Sequence, residues 1–288
     1  MIRVSRLSVL SSAVLILLFA SLMSTTGAES PIDLIVQADF LYMTRYVEED
    51  MTQAIALFEA VIPDLDTLSM NSQSYVLNRL SQLYYEATMF SEGDTSEDGE
   101  LFEKGKAYGL QSLRLNAEFA EAEGNGFNAA IAFANDAAAL HWAASNWGKL
   151  CGMNPIVGLT QQDSVLALFS RAVEIDSDYW GGSASSSLGS LLIMSPSTLG
   201  GDEDAGLALV EDSITIDPSY LSNRVVLAEY WGFTYNFFGQ LTGVRDAELI
   251  ERELTIVLDA EVGDWFFWNL QAKALAAKLL AQLQEMTE

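Results

Sequence analysis

Two neighbouring Asn-Arg pairs carry the clearest chemical potential in this sequence. Asn78-Arg79 and Asn223-Arg224 lie in segments that align without a gap: Ser74-Tyr75-Val76-Leu77-Asn78-Arg79 against Ser219-Tyr220-Leu221-Ser222-Asn223-Arg224, with Tyr85 falling on Tyr230. Five identities at one offset mark an internal repeat. A guanidinium beside an amide can hold a carboxylate through charge-assisted, forked hydrogen bonds. It can equally brace adjacent turns and pair with the chain's own acids, and at this stage both readings stand. Arginine is scarce, with nine in 288 residues against 40 Asp and Glu, so a repeated one draws notice.

Other chemistries have less to build on. His141 and Cys151 are each the single residue of their type. On one helix they would point roughly 80° apart and stand about 15 Å apart along the axis, too far for a Cys-His pair. No phosphate-binding loop or G-x-S-x-G pattern is present, and one His does not make a His-rich zinc site. Neither catalysis nor a cofactor is expected. Asp94, Ser96 and Asp98 open a stretch like a calcium-binding loop, yet position twelve is Gly105 and Glu103 comes two positions early. The alternative is a solvated acidic loop whose Ser96 or Asp98 caps the following helix. Trp142, Trp147, Trp180, Tyr220, Tyr230, Trp231, Trp265 and Trp268 are placed on first helices of successive pairs. There they fill the core, or with Asn146 line a groove for a small organic or apolar ligand.

The elements that must position these residues are helical. Leu207, Val210 and Ile214 form an apolar stripe that stops at Asp217-Pro218, and a more aromatic helix follows, so residues 200–238 read as a helix pair. Helices are also expected over 31–61, 71–90, 101–115, 127–151, 164–175, 179–194, 246–258 and 262–286, with loops or turns at 91–99, 123–126, 152–158 and 195–201. Helix ends of one type recur at Ile175-Asp176, Ile216-Asp217 and Leu258-Asp259, 41 and 42 residues apart, with Leu115-Asn116 a longer step upstream. Sustained two-residue alternation is missing. The fold class is therefore all-α: tetratricopeptide-like helical-hairpin repeats forming one compact superhelical domain over 29–288.

Arg3 and Arg6, the apolar run 9–23 and the small residues Thr26-Gly27-Ala28 read as a signal peptide over 1–28 that directs export. The alternative is an uncleaved N-terminal anchor. A lipoprotein is not expected, because the single Cys is at position 151. A net charge of -26 repels phosphate backbones and anionic headgroups, which argues against nucleic-acid and membrane-surface binding. With half its residues hydrophobic, the chain can still bury a large core.

Several blocks together resemble one family: residues 102–108 leading to Ser112-Leu113; Leu140-His141-Trp142 with Asn146-Trp147-Gly148; 167–176; Gly200-Gly201-Asp202 with Ala205; and 269–273 with Ala276 and Leu279-Leu280. In these the chain is similar to the T component of a subgroup of TRAP transporters, the TatT family, periplasmic helical-repeat proteins. The resemblance implies a soluble periplasmic auxiliary component that docks a solute-binding P subunit, and with it a possible ligand, and that can assemble as a homo-oligomer. Members usually carry a lipoprotein Cys, which this chain lacks. The alternative function is a generic exported scaffold that holds peptide or protein ends in its concave face.

Overall fold

A computed structural model describes residues 29–91, 96–236 and 239–287. The expected signal peptide and Asp94 lie outside the described residues. Thirteen helices make up most of the described chain: α1 (Pro31–Tyr42), α2 (Glu48–Val61), α3 (Met70–Ala87), α4 (Ser96–Leu113), α5 (Ala117–Glu123), α6 (Phe127–Ala130), α7 (Ala137–Met153), α8 (Pro155–Ile175), α9 (Tyr179–Met194), α10 (Glu203–Ile216), α11 (Ser222–Val226), α12 (Ala247–Asp259) and α13 (Phe266–Thr287). A π-helical turn, Leu227–Gly232, continues α11. It runs into a short antiparallel pair, β1 (Phe233–Tyr235) and β2 (Leu241–Val244), with Phe233 opposite Val244.

The helix starts follow from local chemistry. Ser30, Ser69, Asn116, Asp136, Asn154, Asp202 and Asp246 each accept a backbone N–H of the first turn, satisfying donors that a helix leaves open. Consecutive helices then fold back on each other as α1–α2, α3–α4, α7–α8, α9–α10 and α12–α13; the first four pairs pack each on the next, and α11 with the π-helical turn links α9–α10 to α12–α13. The last helix returns to the first elements: Phe266 meets Tyr46, Phe267 meets Phe90, and Trp268 stacks on Tyr85.

The structure corrects several boundaries. Residues 31–61 are two helices, separated by turns at 43–47. Residues 127–151 are not one helix: a short piece ends at Phe133, and Asp136 caps a new one. The expected turn at 152–158 shrinks to Asn154, whose side chain accepts from Ile156 and Val157. Residues 200–238 hold a full helix followed by a short one that leaves the helical path as β1, so the all-helical expectation holds with a small hairpin added. Ser96 and Asp98 sit in the first turn of α4, and residues 96–105 are helix where a calcium-binding loop would need open backbone. Tyr220 and Trp265 precede α11 and α13 rather than lying within them.

Four asparagines join neighbouring pairs. Asn146 donates to Ser81 O on α3 at 3.0 Å, and Asn78 to Asp136 Oδ2 at 2.9 Å. Asn223 donates to Gly181 O at 2.8 Å and Ser213 O at 3.0 Å, while Asn269 donates to Ser219 O and Val262 O, both at 2.8 Å. The Asn223 bonds hold an unusual segment. Trp180, Gly181 and Gly182 have φ of 53°, 63° and 75°, a left-handed turn at the head of α9. Glycine adopts that conformation freely, whereas for Trp180 it costs about 1–2 kcal/mol. Farther along, α9 and α10 approach so closely that a Cβ on Gly189 would stand 2.5 Å from Gly206 O.

Asn223→Ala removes the buried bonds to Gly181 O and Ser213 O and is expected to lower stability by about 1–3 kcal/mol. Gly189→Ala forces α9 and α10, the two helices of one pair, apart and is expected to cost about 1–3 kcal/mol. Urea unfolding followed by circular dichroism measures both; an unchanged midpoint in either variant contradicts the corresponding joint.

Candidate functional site

The densest polar chemistry lies where α1, α3 and α13 meet. Glu86 is fully buried on α3. It receives Arg45 Nε at 2.7 Å, Gln82 Nε2 at 2.7 Å and Trp268 Nε1 at 2.8 Å. A buried carboxylate needs this much company, because removal from water costs several kcal/mol unless charge and donors replace the lost hydration. Arg45 comes from the turn after α1, so one anion ties the first hairpin, the third helix and the last.

Tyr42, at the end of α1, lies against two guanidinium groups. Arg45 Cζ stands 3.9 Å from its ring centre and Arg79 Cζ 3.7 Å, a cation–π arrangement on both counts. Its hydroxyl accepts Gln82 Nε2 at 2.8 Å. Burial, then the charge of Glu86, pushes the Tyr42 phenol up to about 12, so it remains protonated. Arg79 donates to Gln82 Oε1 at 2.7 Å and to the Tyr75 hydroxyl at 3.3 Å, and that hydroxyl in turn donates to Asp39.

Next to this network the aromatic residues close on each other. Trp142 lies 5.2 Å from Trp180 and 6.0 Å from Trp268, and Trp180 lies 5.3 Å from Trp265. Tyr220 lies 4.8 Å from Trp265. Trp142 donates to the Tyr179 hydroxyl at 2.9 Å and Trp265 to Asp217 at 2.8 Å, whereas the buried Trp180 Nε1 has no acceptor. The rings pack on one another, each pair adding about 0.5–1.5 kcal/mol beyond area burial.

The residues singled out in the sequence thus divide three ways. Arg79 and Trp142 belong to this inner region. Asn78, Asn146 and Asn223 are the joints described above. Trp147, Arg224, Tyr230 and Trp231 stand elsewhere: Trp147 donates to Gln161 and packs on Phe127, Arg224 pairs with Glu253 at 2.6 Å, Tyr230 lies near Tyr235, and Trp231 carries Arg245 on its face. The two repeat copies therefore occupy different surroundings: Arg224 is answered by an internal carboxylate, and Arg79 by neutral groups. Sequence reasoning passed over Tyr42, Arg45, Gln82 and Glu86. Arg45 alone carried a usable signal, since it shares the scarcity of arginine.

His141 is buried against Trp142, Phe169 and Tyr179, and burial lowers its pKa to about 3, so it is neutral. Cys151 lies apart from it. This thiol lines a cleft of about 190 Å³ with Gly148, Gln162, Leu191 and Ser195, and burial pushes it up to about 11. Among the described residues no group of three His, Cys, Asp or Glu could hold a metal ion, and no helix is long and apolar enough to cross a membrane.

A family model described as TRAP transporter T-component matches residues 72–286. The chain belongs to the TRAP transporter T-component family. It is thus a component associated with a transport system. The match takes in α3 to α13, and hence Arg79, Glu86, the aromatic region and every joint; α1 and α2 precede it. No curated protein matches the chain. In this T-component family member the inner region draws on both parts: Glu86 and Trp268 fall inside the matched span, and their partners Tyr42 and Arg45 fall outside it.

Glu86→Gln removes the anion and leaves the Arg45 charge without its buried carboxylate, so stability is expected to fall by about 3–5 kcal/mol. Denaturant titration checks this, and a loss below that of an ordinary surface change contradicts the role of Glu86 as closure. His141, with its folded pKa below the unfolded value, contributes stability that is complete above pH 6.5 and is lost as pH falls toward about 3. The slope is up to about 1.4 kcal/mol per pH unit. Glu229, raised by burial, works in the opposite direction. Comparing the chain with His141→Gln between about pH 7 and pH 5 cancels the Glu229 contribution. The variant is expected to be the less pH-sensitive of the two, and parallel curves would contradict the assignment.

Proposed function

We propose that the chain is exported and acts without catalysis as the auxiliary component of a TRAP-type uptake system, docking its solute-binding P subunit. The family match across residues 72–286 carries this reading. The site chemistry supports the absence of catalysis: the imidazole is neutral and enclosed, the thiol is protonated, and the two lie apart.

For the docking face we propose α1. Ile32, Val36, Phe40 and Met43 lie at helical spacing on one side of it, and each is more than half exposed. Soluble monomers seldom leave such a run of large apolar side chains in water, and in a chain of net charge -26 the stripe is the natural place for a protein partner to sit.

Purified chain and a TRAP solute-binding P subunit are expected to associate at micromolar concentration in a pull-down and by calorimetry. Val36→Glu with Phe40→Glu is expected to weaken that association by more than about tenfold, since it places charge in the core of the interface. Ile156→Glu, an exposed apolar position on another helix, is expected to leave it unchanged. Two folded proteins that do not associate would overturn the reading. Light scattering on the stripe variant shows whether a second copy covers α1 instead: a fall in mass with docking intact would assign the stripe to self-assembly.

A further inference from the structure

Among the seven described arginines, Arg45, Arg114, Arg171, Arg224, Arg245 and Arg252 all lie in salt bridges of 2.6 to 3.2 Å. Arg79 does not. Its guanidinium is held by neutral acceptors, Gln82 Oε1 and the Tyr75 hydroxyl, and its flat face lies on Tyr42. The nearest carboxylates in that network stand one group farther on, Asp39 behind Tyr75 and Glu86 behind Gln82. Glu86 is already engaged by Arg45. Arg79 Nε is buried and has no hydrogen-bond acceptor.

An aligned guanidinium with an unanswered N–H is an incomplete structure. Leaving such a donor buried costs more than most folding contacts return, and a charged donor costs most. Packing does not explain the arrangement, because the same chain gives its other described arginines acceptors of opposite charge. The surroundings are also prepared for a ligand. Tyr42, Tyr75 and Gln82 fix the planar group in one orientation, which removes the entropy that a free arginine would lose on binding. Tyr75 is 36% exposed at the rim, so the site reaches solvent. Trp180 Nε1, farther in, is a second buried donor without an acceptor.

We infer that Arg79, framed by Tyr42, Tyr75 and Gln82, is a binding site for a carboxylate borne on an apolar body. The carboxylate accepts from Nε–H and from the guanidinium N–H groups left free by Gln82 and Tyr75, in the forked geometry that arginine favours. The Tyr75 ring at the rim receives the apolar part. The carboxylate has two sources with the same chemistry, a small organic acid or the free end of a peptide, and the experiment distinguishes them. Arg224 has no such role, because Glu253 already fills the equivalent position.

Isothermal titration of the full chain with hexanoate, and with a short apolar peptide carrying a free C-terminus, tests the site. Hexanamide and the amidated peptide serve as uncharged counterparts. The expected result is saturable binding of at least one acid and none of its amide, and the tighter acid names the source. Arg79→Gln is expected to raise its Kd by about tenfold or more, the loss of one charged hydrogen bond, whereas Arg224→Gln leaves it unchanged. The same titration followed by NMR reads the Arg79 Nε–H resonance in the unaltered chain, which is expected to shift while those of the ion-paired arginines stay in place. This measurement decides the matter if Arg79→Gln does not fold. Equal affinity for acid and amide, no saturation at millimolar concentration, or a stationary Arg79 resonance would each overturn the inference. All arms use the isolated chain, so failure here leaves the docking reading untouched, and loss of docking leaves this one untouched.

Discussion

A single anion, the carboxylate of Glu86, has to be answered inside the protein. It has no access to water, and in a low-dielectric interior an unanswered charge costs more than most packing contacts return. The answers come from far apart in the chain: Arg45 lies 41 residues upstream and Trp268 lies 182 residues downstream. Helix pairs stacked in sequence order need only neighbours, yet this charge requires the two ends of the array to meet. Once they meet, the inner face between them fills with Tyr85, Trp142, Trp180 and Trp268, which join the first three helices in one hydrophobic cluster.

The helical character of the chain was legible because it rests on local rules. Apolar spacing located the helices, and the Asp217-Pro218 stop fell where the spacing placed it. Errors arose where a local rule gave a weak or conflicting signal. The Ala-rich run after Phe127 favours helix almost throughout, and only Asn135-Asp136, a capping pair inside it, betrays the break. The π turn and hairpin after α11 were hidden for another reason. Residues 227–235 are as apolar and aromatic as a buried helix, and a short apolar run cannot by itself distinguish helix from strand.

The candidate site was legible only in part. The internal repeat singled out Asn78-Arg79 and Asn223-Arg224, but identical residues do not keep identical neighbours. Arg224 faces α12, whose Glu253 neutralises it, while Arg79 faces the aromatic end of α1. That difference depends on which helix lies opposite, which is tertiary information. Glu86 gave no signal at all, since one acid among 40 becomes exceptional only through burial.

The asparagine joints have a consequence for how such sequences drift. Asn223 and Asn269 donate to main-chain carbonyls, so they read the position of the backbone opposite rather than the side chains it carries. A salt bridge across a joint would tie two residues to change together. An amide on a carbonyl ties only one. These bonds therefore place no demand of their own on the side chains at the accepting positions, and the exposed Ser219 can change while Asn269 stays.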